Sequence, residues 1–188
     1  MSEAVSALQG AEFEGLARVA EAGLQGMITL RGDLGARAVR AAVKAAFGVD
    51  VPDVNNVASA GHMGVCWMSP DELLLLCPHG EAEAKVAELG TALAKQHHLA
   101  VNVSDARAMF QVNGSGAREV FGKLCPLDFA SGNFEPGQIR RTRMAQVPAA
   151  VWMDGVDTFR VVCFRSMARY VFGALKAAAD PASGVGVY

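Results

Sequence analysis

The chain has 188 residues, 52% of them hydrophobic, with 17 basic and 19 acidic side chains and a net charge of −2. This length suits one domain that buries roughly 70% of the surface of its unfolded chain. The basic residues are scattered, which argues against a nucleic-acid-binding face. The sequence shows neither a long apolar run nor a cationic, apolar leader, so we expect a cytoplasmic chain without a membrane span or secretion signal.

Hydrophobic periodicity and turn residues predict strands that alternate with helices. In chain order the predicted elements are a helix or arm within residues 1–23, a strand at 26–30, a helix at 34–47, a surface loop at 49–60, strands at 62–68 and 72–77, a helix at 80–97, strands at 99–103 and 108–112, a helix at 115–124, a connector at 127–136, strands at 138–147, 149–153 and 158–164, a helix from 166 to before 180, and a flexible tail at 181–188. The basic stretch from Arg140 to Arg143 is predicted to be a solvated strand edge rather than an anion site.

The same residue pattern occurs twice along the chain. Residues 27–37 and 109–118 both form an alternating strand pattern that breaks at glycine and enters a helix. Each copy later carries a tryptophan, Trp67 or Trp152, which precedes an apolar strand with a cysteine and an amphipathic helix. The sequence therefore predicts an α+β fold with mostly antiparallel sheets. Its single domain would span residues 24–180 and consist of two pseudo-symmetric repeats, 24–105 and 106–180.

No residue of this chain is predicted to be catalytic, to bind a cofactor or to hold a metal ion. The cysteines are too far apart for a metal knuckle, and Cys77 and Cys163 at strand ends are typical of core filling. The turn Asn113–Gly116 lacks the third glycine of a dinucleotide-binding motif, which favours an ordinary strand-to-helix turn over an anion site. The segment Ser104–Arg107 is predicted to close a turn through side-chain hydrogen bonds, with a carboxylate–guanidinium site as the alternative.

A partner surface is expected from the apolar content, which exceeds the usual ~45–50% only partly because of alanine. Within the irregular connector, Asn133 and Phe134 are the candidate contact residues, because ordered loops carry specificity more often than regular elements do. The two tryptophans, Trp67 and Trp152, are predicted to pack in the core, with stacking on a pterin as the alternative.

Five short motifs carry a resemblance to a known family. They are CWMSPDELLL at Cys66–Leu75, VSDAR at Val103–Arg107, LCPLD at Leu124–Asp128, FEPG at Phe134–Gly137 and RSM at Arg165–Met167. With these motifs in this order, the chain from about residue 24 to residue 178 resembles the gamma subunit family of heterotetrameric sarcosine oxidase. That family is related to the folate-binding domain of aminomethyltransferase, so the resemblance implies a fold of that type.

The resemblance implies a non-catalytic subunit that supports assembly of a complex. Such a complex demethylates sarcosine oxidatively to glycine and passes the one-carbon unit to tetrahydrofolate. The implied partners are a beta subunit with FAD, an alpha subunit with NAD and tetrahydrofolate, a covalent FMN between those two, and a delta subunit with zinc. No cofactor is expected on this chain, and the isolated chain is expected to self-associate. An independent folate-binding or aminomethyltransferase-like protein is the alternative.

Overall fold

A computed structural model of the chain describes residues 3–188, so the first two residues of the predicted N-terminal segment lie outside the described part. The elements are β1 (Glu12–Phe13), β2 (Arg18–Glu21), β3 (Gln25–Gly32), α1 (Arg37–Phe47), β4 (Val57–Ala60), β5 (Met63–Ser69), β6 (Glu72–Pro78), α2 (Ala82–Ala92), β7 (His98–Asn102), β8 (Arg107–Asn113), α3 (Ala117–Leu124), β9 (Ile139–Met144), β10 (Val147–Gly155), β11 (Thr158–Phe164) and α4 (Ala168–Ala179). Short 3-10 turns lie at His79–Glu81, Ser104–Ala106, Arg165–Met167 and Pro181–Ser183.

The chain divides into two compact units. The first unit is Leu24–Asp105, and the second unit is Ala106–Tyr188 together with the described residues up to Gly23. Neighbouring strands of both sheets pair antiparallel, in the order β4-β5-β6-β3-β7 in the first unit and β1-β2-β8-β11-β10-β9 in the second. These pairings and the helices between them confirm the predicted α+β class with antiparallel sheets.

The first unit buries one face of its sheet against α1 and α2. In α1 the apolar residues Val39, Val43 and Phe47 recur every four positions, so they share a stripe that faces the core. Gly48 ends the helix in the left-handed region, with a φ of 68°, and its N–H donates to the carbonyl of Lys44. The sheet contributes to the same core the buried side chains of Ile28, Leu30, Val65, Leu73, Leu75 and Cys77.

Two predictions for the first unit are wrong at their boundaries. Residues 57–60, predicted to be part of a loop, form β4, because they pair with β5 across a tight turn at Gly61, whose φ is 59°. The helix predicted at 80–97 spans only Ala82–Ala92, and Leu93 caps it. The residues that follow, from Lys95 to His98, are polar and offer the helix no further apolar stripe to bury.

The second unit packs α3 and α4 on one face of its sheet. Phe110, Val151, Phe159 and Val161 of the strands meet Val120, Phe121, Val171 and Leu175 of the helices in one core cluster. The strand β9 is an edge of this sheet, as predicted for the stretch from Arg140 to Arg143.

The predicted break between the last long strands lies at a different position. The chain turns at Ala145-Gln146, and Pro148 lies inside β10 rather than between two strands. Pairing of β10 with β11 starts only at Ala150, so the missing N–H of Pro148 removes no hydrogen bond from that ladder.

The predicted N-terminal helix does not form among residues 3–20. Instead β2 pairs with β8, and the carboxylate of Glu21 accepts hydrogen bonds from Ser6 Oγ at 2.9 Å and from the N–H groups of Leu8 and Gly10, both at 2.8 Å. The amide of Leu16 donates to the carbonyl of Ala179 at 2.7 Å. Helix propensity is a weak prior, and the open ladder of β8 overrides it here.

The segment predicted to be a flexible tail makes specific contacts with α3. The carboxylate of Glu119 accepts hydrogen bonds from the N–H groups of Val185 and Gly186, both at 2.8 Å, and lies 2.7 Å from Lys123 Nζ. A Cβ added at Gly122 would lie 2.7 Å from the ring of Tyr188, so glycine at this position allows the ring to approach the helix.

Candidate functional site

The connector at 127–136 folds into the core of the second unit. The ring of Phe134 is 2% exposed, and its centroid lies 5.1 Å from that of Phe129 and 5.9 Å from that of Phe159. The expectation that Phe134 offers a partner surface is therefore wrong for its ring, which is covered by its own chain. Aromatic side chains gain more from burial against each other than from exposure, even where the backbone is irregular.

Arg118 fastens this connector from the N-terminal end of α3. Its guanidinium donates to the carbonyls of Phe129 and Phe134, the second at 2.8 Å, and lies 5.9 Å from the centroid of the Phe159 ring. These bonds satisfy two carbonyls that no regular element pairs, which is what a buried loop requires. The residue at the same place in the first repeat, Arg37, is exposed. The sequence does not reveal that Arg118 binds the connector, because Arg37 and Arg118 follow the same glycine pattern and only one of them is engaged in this way.

The exposed part of the connector is polar and hydrogen-bonded within itself. Asn133 donates to the carboxylate of Asp128, which also accepts from the N–H of Ala130 at 2.9 Å. The Ala130 bond, and after it the Asn133 bond, hold the pKa of Asp128 below its usual value. The carboxylate of Glu135 accepts from the hydroxyl of Ser131 at 3.3 Å. Of the two candidate contact residues, Asn133 is the exposed one.

The glycine turn before α3 is closed to an anion. A Cβ added at Gly116 would lie 2.5 Å from the carbonyl oxygen of Leu16, so the backbone at Leu16 covers the turn closely. Gly114 adopts a φ of 124°, a conformation that glycine reaches without strain. A carbonyl oxygen carries partial negative charge and would repel a phosphate. This geometry is that of an ordinary strand-to-helix turn, as predicted.

The turn that begins at Ser104 is closed by its own hydroxyl. Ser104 is buried, accepts a hydrogen bond from the N–H of Met27 at 3.0 Å and donates to the side-chain oxygen of Asn102 at 2.6 Å. This confirms turn closure through side-chain and backbone hydrogen bonds. The guanidinium of Arg107, three residues later, lies 4.3 Å from the centroid of the Phe164 ring.

The cysteines behave as small core residues. All four are buried and none forms a disulfide, and burial raises the pKa of Cys125 and of Cys163 to about 12. A thiol with so high a pKa stays protonated at neutral pH, which removes the nucleophile and the metal ligand. Within residues 3–188 no three His, Cys, Asp or Glu side chains come together in a group that could hold a metal ion.

Both tryptophans pack in or against a core. Trp152 is 1% exposed, and its indole N–H donates to the carboxylate of Asp154 at 2.8 Å. Trp67 is half-buried against the core of the first unit. Burial of the Trp152 ring confirms core packing for that residue and leaves no open ring face for a pterin.

In the described part of the chain, no helix has the length and hydropathy needed to span a membrane.

The duplicated α+β fold is found in known proteins. Glycine cleavage system aminomethyltransferase T from Bartonella henselae matches with a TM-score of 0.61 at 12% identity, over 82% of this chain and 44% of that chain. The fold class is therefore the one that the resemblance implied. A family model described as "Sarcosine oxidase, gamma subunit family" matches residues 31–181. The chain belongs to the sarcosine oxidase gamma subunit family, as the five motifs indicated.

Individual relatives agree with this assignment. A sarcosine oxidase subunit gamma from an Arthrobacter species is 32% identical over 136 residues, which are 69% of this chain and 66% of that relative. The match thus spans slightly less than two thirds of the relative's length. A chain of the heterotetrameric sarcosine oxidase from Corynebacterium sp. U-96, solved with pyrrole 2-carboxylate, matches with a TM-score of 0.81 at 28% identity, over 94% of this chain and 91% of that chain.

Proposed function

We propose that this chain is the gamma subunit of a heterotetrameric sarcosine oxidase and that it contributes to assembly rather than to chemistry. The observation that carries the proposal is the structural match over 94% of this chain to a chain of a heterotetrameric oxidase. The partners are the alpha, beta and delta subunits of that complex, which works in the cytoplasm. Without them, we expect the isolated chain to associate with itself.

The chemistry belongs to the complex as a whole. We infer that the complex removes the methyl group of sarcosine oxidatively, forms glycine and transfers the one-carbon unit to tetrahydrofolate. Oxidation of an amine needs an acceptor for two electrons, and this chemistry falls to the FAD, FMN and NAD of the other subunits. The delta subunit holds zinc. The proposed role is consistent with the buried, protonated thiols of Cys125 and Cys163 and with the Leu16 carbonyl that covers the glycine turn before α3.

Co-purification tests this proposal directly. The chain would carry an affinity tag in its source organism, and the recovered material would be analysed by mass spectrometry and by absorbance. We expect stoichiometric recovery of larger chains, with flavin absorbance and activity towards sarcosine. The tag on an unrelated protein of the same size is the control. Recovery of this chain as a stable monomer, without flavoprotein chains, would contradict the proposal.

An independent folate-binding role is the competing function, and the shared fold with aminomethyltransferase T favours it. The chain spans only 44% of that enzyme, so it provides less than half of the enzyme's structure. Calorimetric titration of the isolated chain with tetrahydrofolate separates the two functions. Binding at micromolar concentrations would favour the folate role, whereas no heat of binding together with flavoprotein recovery would favour the assembly role.

A further inference from the structure

One face of the second unit combines exposed apolar side chains with arginines. Phe164 is 45% exposed and Val5 is 54% exposed. We call this face the Phe164 surface; it consists of Phe164, Val5, Arg107, Arg165 and Arg169. Aromatic and arginine side chains are the ones that most often anchor protein interfaces.

The end of β11 builds this surface. Phe164 is the last residue of the strand and pairs with Arg107 of β8, which brings the guanidinium over the ring at 4.3 Å. The next residue, Arg165, donates to the carbonyl of Val5 at 2.7 Å. Arg169 follows one helical turn later and is exposed. The ring and the guanidinium groups are thus held on ordered backbone.

A groove of about 390 Å³ continues this surface; it is lined by Ala7, Leu8, Gln9, Ala11, Arg169 and Phe172. Four of the six lining residues have apolar side chains, but polar atoms contribute more of the lining surface than apolar atoms do. The segment 6–10 that forms one wall is fixed by its three hydrogen bonds to Glu21. A wall that is already ordered loses little conformational entropy when a ligand binds, so the groove is pre-organised for binding.

The strand and the helix that build this face carry basic residues and no acidic ones. The net charge of the protein is −2, yet β11 and α4 contain no acidic residue. Arg160 of β11 forms an ion pair with Asp154 of β10, which leaves Arg169 and Lys176 as the other cations of these two elements. The Glu21 carboxylate behind the groove accepts hydrogen bonds from three uncharged donors, so it offsets part of this positive charge. A positive surface attracts acidic partners and discriminates against basic ones.

The first repeat provides an internal comparison. Cys77 and Cys163 occupy matching places at the ends of their strands, and a 3-10 turn and a helix follow each of them. At the places of Phe164, Arg165 and Arg169, the first repeat has Pro78, His79 and Glu83, and Glu83 accepts from Asn102 at 2.7 Å. The fold therefore forms without an aromatic residue or arginines at these positions, so folding alone does not account for them.

From these observations we propose that the Phe164 surface docks an acidic segment of a larger subunit of the oxidase, with an apolar side chain of that segment in the groove. This inference rests on the proposed function. The arginines bind the carboxylates of the segment, and the exposed ring of Phe164 packs against its apolar part. Charge-assisted bonds to guanidinium are the strong ones among surface contacts.

The test is a binding titration between this chain and the remaining subunits, prepared together without it. The variants are Phe164→Ser and the double variant Arg165→Glu with Arg169→Glu. The matched control is Arg37→Glu with Lys95→Glu, which changes the net charge equally at two exposed positions of the first unit. We expect each test variant to raise Kd about tenfold or more and the control to change it less than about twofold.

The outcomes separate this inference from the proposed function. If the wild-type chain joins the complex and the test variants bind as tightly as the control, the inference is wrong and the function stands. If the wild-type chain does not join the complex, both are wrong. If the variants abolish only self-association, the surface serves a second copy of this chain and the inference is also wrong.

Folding of the variants is checked by circular dichroism. Should the charge reversals disturb folding, Arg165→Gln with Arg169→Gln replaces them. The wild-type Kd is then expected to rise with salt, and the Gln variant is expected to lose much of that dependence. An equal salt dependence in both proteins would overturn the proposal.

Discussion

Replacing Phe134 with alanine tests whether the connector belongs to the core. The ring is 2% exposed and has two aromatic neighbours within 6 Å, at 5.1 and 5.9 Å. Truncating a buried phenylalanine costs about 3–5 kcal/mol. We expect the upper half of this range, because Arg118 fixes the loop carbonyls and prevents the cavity from collapsing. For a chain of this size, a loss of about 4–5 kcal/mol corresponds to a fall in Tm of roughly 8–20 °C.

The two tryptophans give the assay one fluorescent probe in each unit. Trp152 lies in the second unit with Phe134, whereas Trp67 lies in the first. In a Trp67→Phe background Trp152 is the one remaining tryptophan, so its fluorescence reports urea unfolding at β10, next to the core residues Val151 and Met153. Phe164→Ala is the matched control, since its half-exposed ring is expected to contribute about 1 kcal/mol or less.

Opposite outcomes distinguish a core role from a partner role. A core role predicts that Phe134→Ala lowers the urea midpoint strongly, while the folded variant still joins the complex. If Phe134→Ala unfolds within about 1 kcal/mol of the parent and instead prevents assembly, the reasoning from burial is refuted. Phe134→Asp cannot make this distinction, because a buried carboxylate would unfold the loop whatever its role.

Three further predictions use the same second unit. Gly116→Ala is expected to lower the free energy of unfolding by about 1–3 kcal/mol, because its methyl group would meet a fixed backbone carbonyl, whereas Gly173→Ala, with open space around it, is expected to be neutral or stabilising in urea titrations. The Lys123 bond first, and then two backbone amides, lower the pKa of Glu119 from 4.5 to about 2. The hydrogen bonds from Val185 and Gly186 to Glu119 should therefore be fully formed above pH 4.5 and be lost as the pH falls towards 2. Hydrogen exchange of these two amides measures the change. Equal protection of the amides at pH 5 and near pH 2 would contradict this prediction. The thiols of Cys125 and Cys163, with pKa values raised to about 12, should react with a disulfide reagent at pH 8 only after unfolding. Rapid reaction in the native state would refute their burial.

Much of the fold could be predicted because its signals are local. The stripe of Val39, Val43 and Phe47 specifies a helix wherever its apolar face is buried, and the pattern of strand, glycine and helix recurs at 109–118. The structure of the N-terminal segment could not be predicted from local signals. Residues 18–21 become a strand because β8 offers them hydrogen-bonding partners, and nothing within the segment itself signals that pairing.

The connector was misinterpreted for a related reason. Phe134 stands among polar residues and two positions before Pro136, which is typical of a surface loop. Its burial depends on Phe129 and Phe159 and on the guanidinium of Arg118, which are separated from it along the sequence. A buried loop needs donors for its carbonyls, so an arginine in the first turn of the preceding helix is the signal that could have indicated this fold.

The two repeats differ at places that the fold leaves free. Buried positions such as Leu89 and Leu175, or Ala82 and Ala168, keep the same residue in both copies, because packing fixes their size. Exposed positions carry no such constraint, and there Glu83 corresponds to Arg169. Comparison of the two repeats thus separates residues that maintain the fold from residues that the fold does not require. The Phe164 surface belongs to the second group, which is why its substitution should weaken docking and leave the stability of the second unit nearly unchanged.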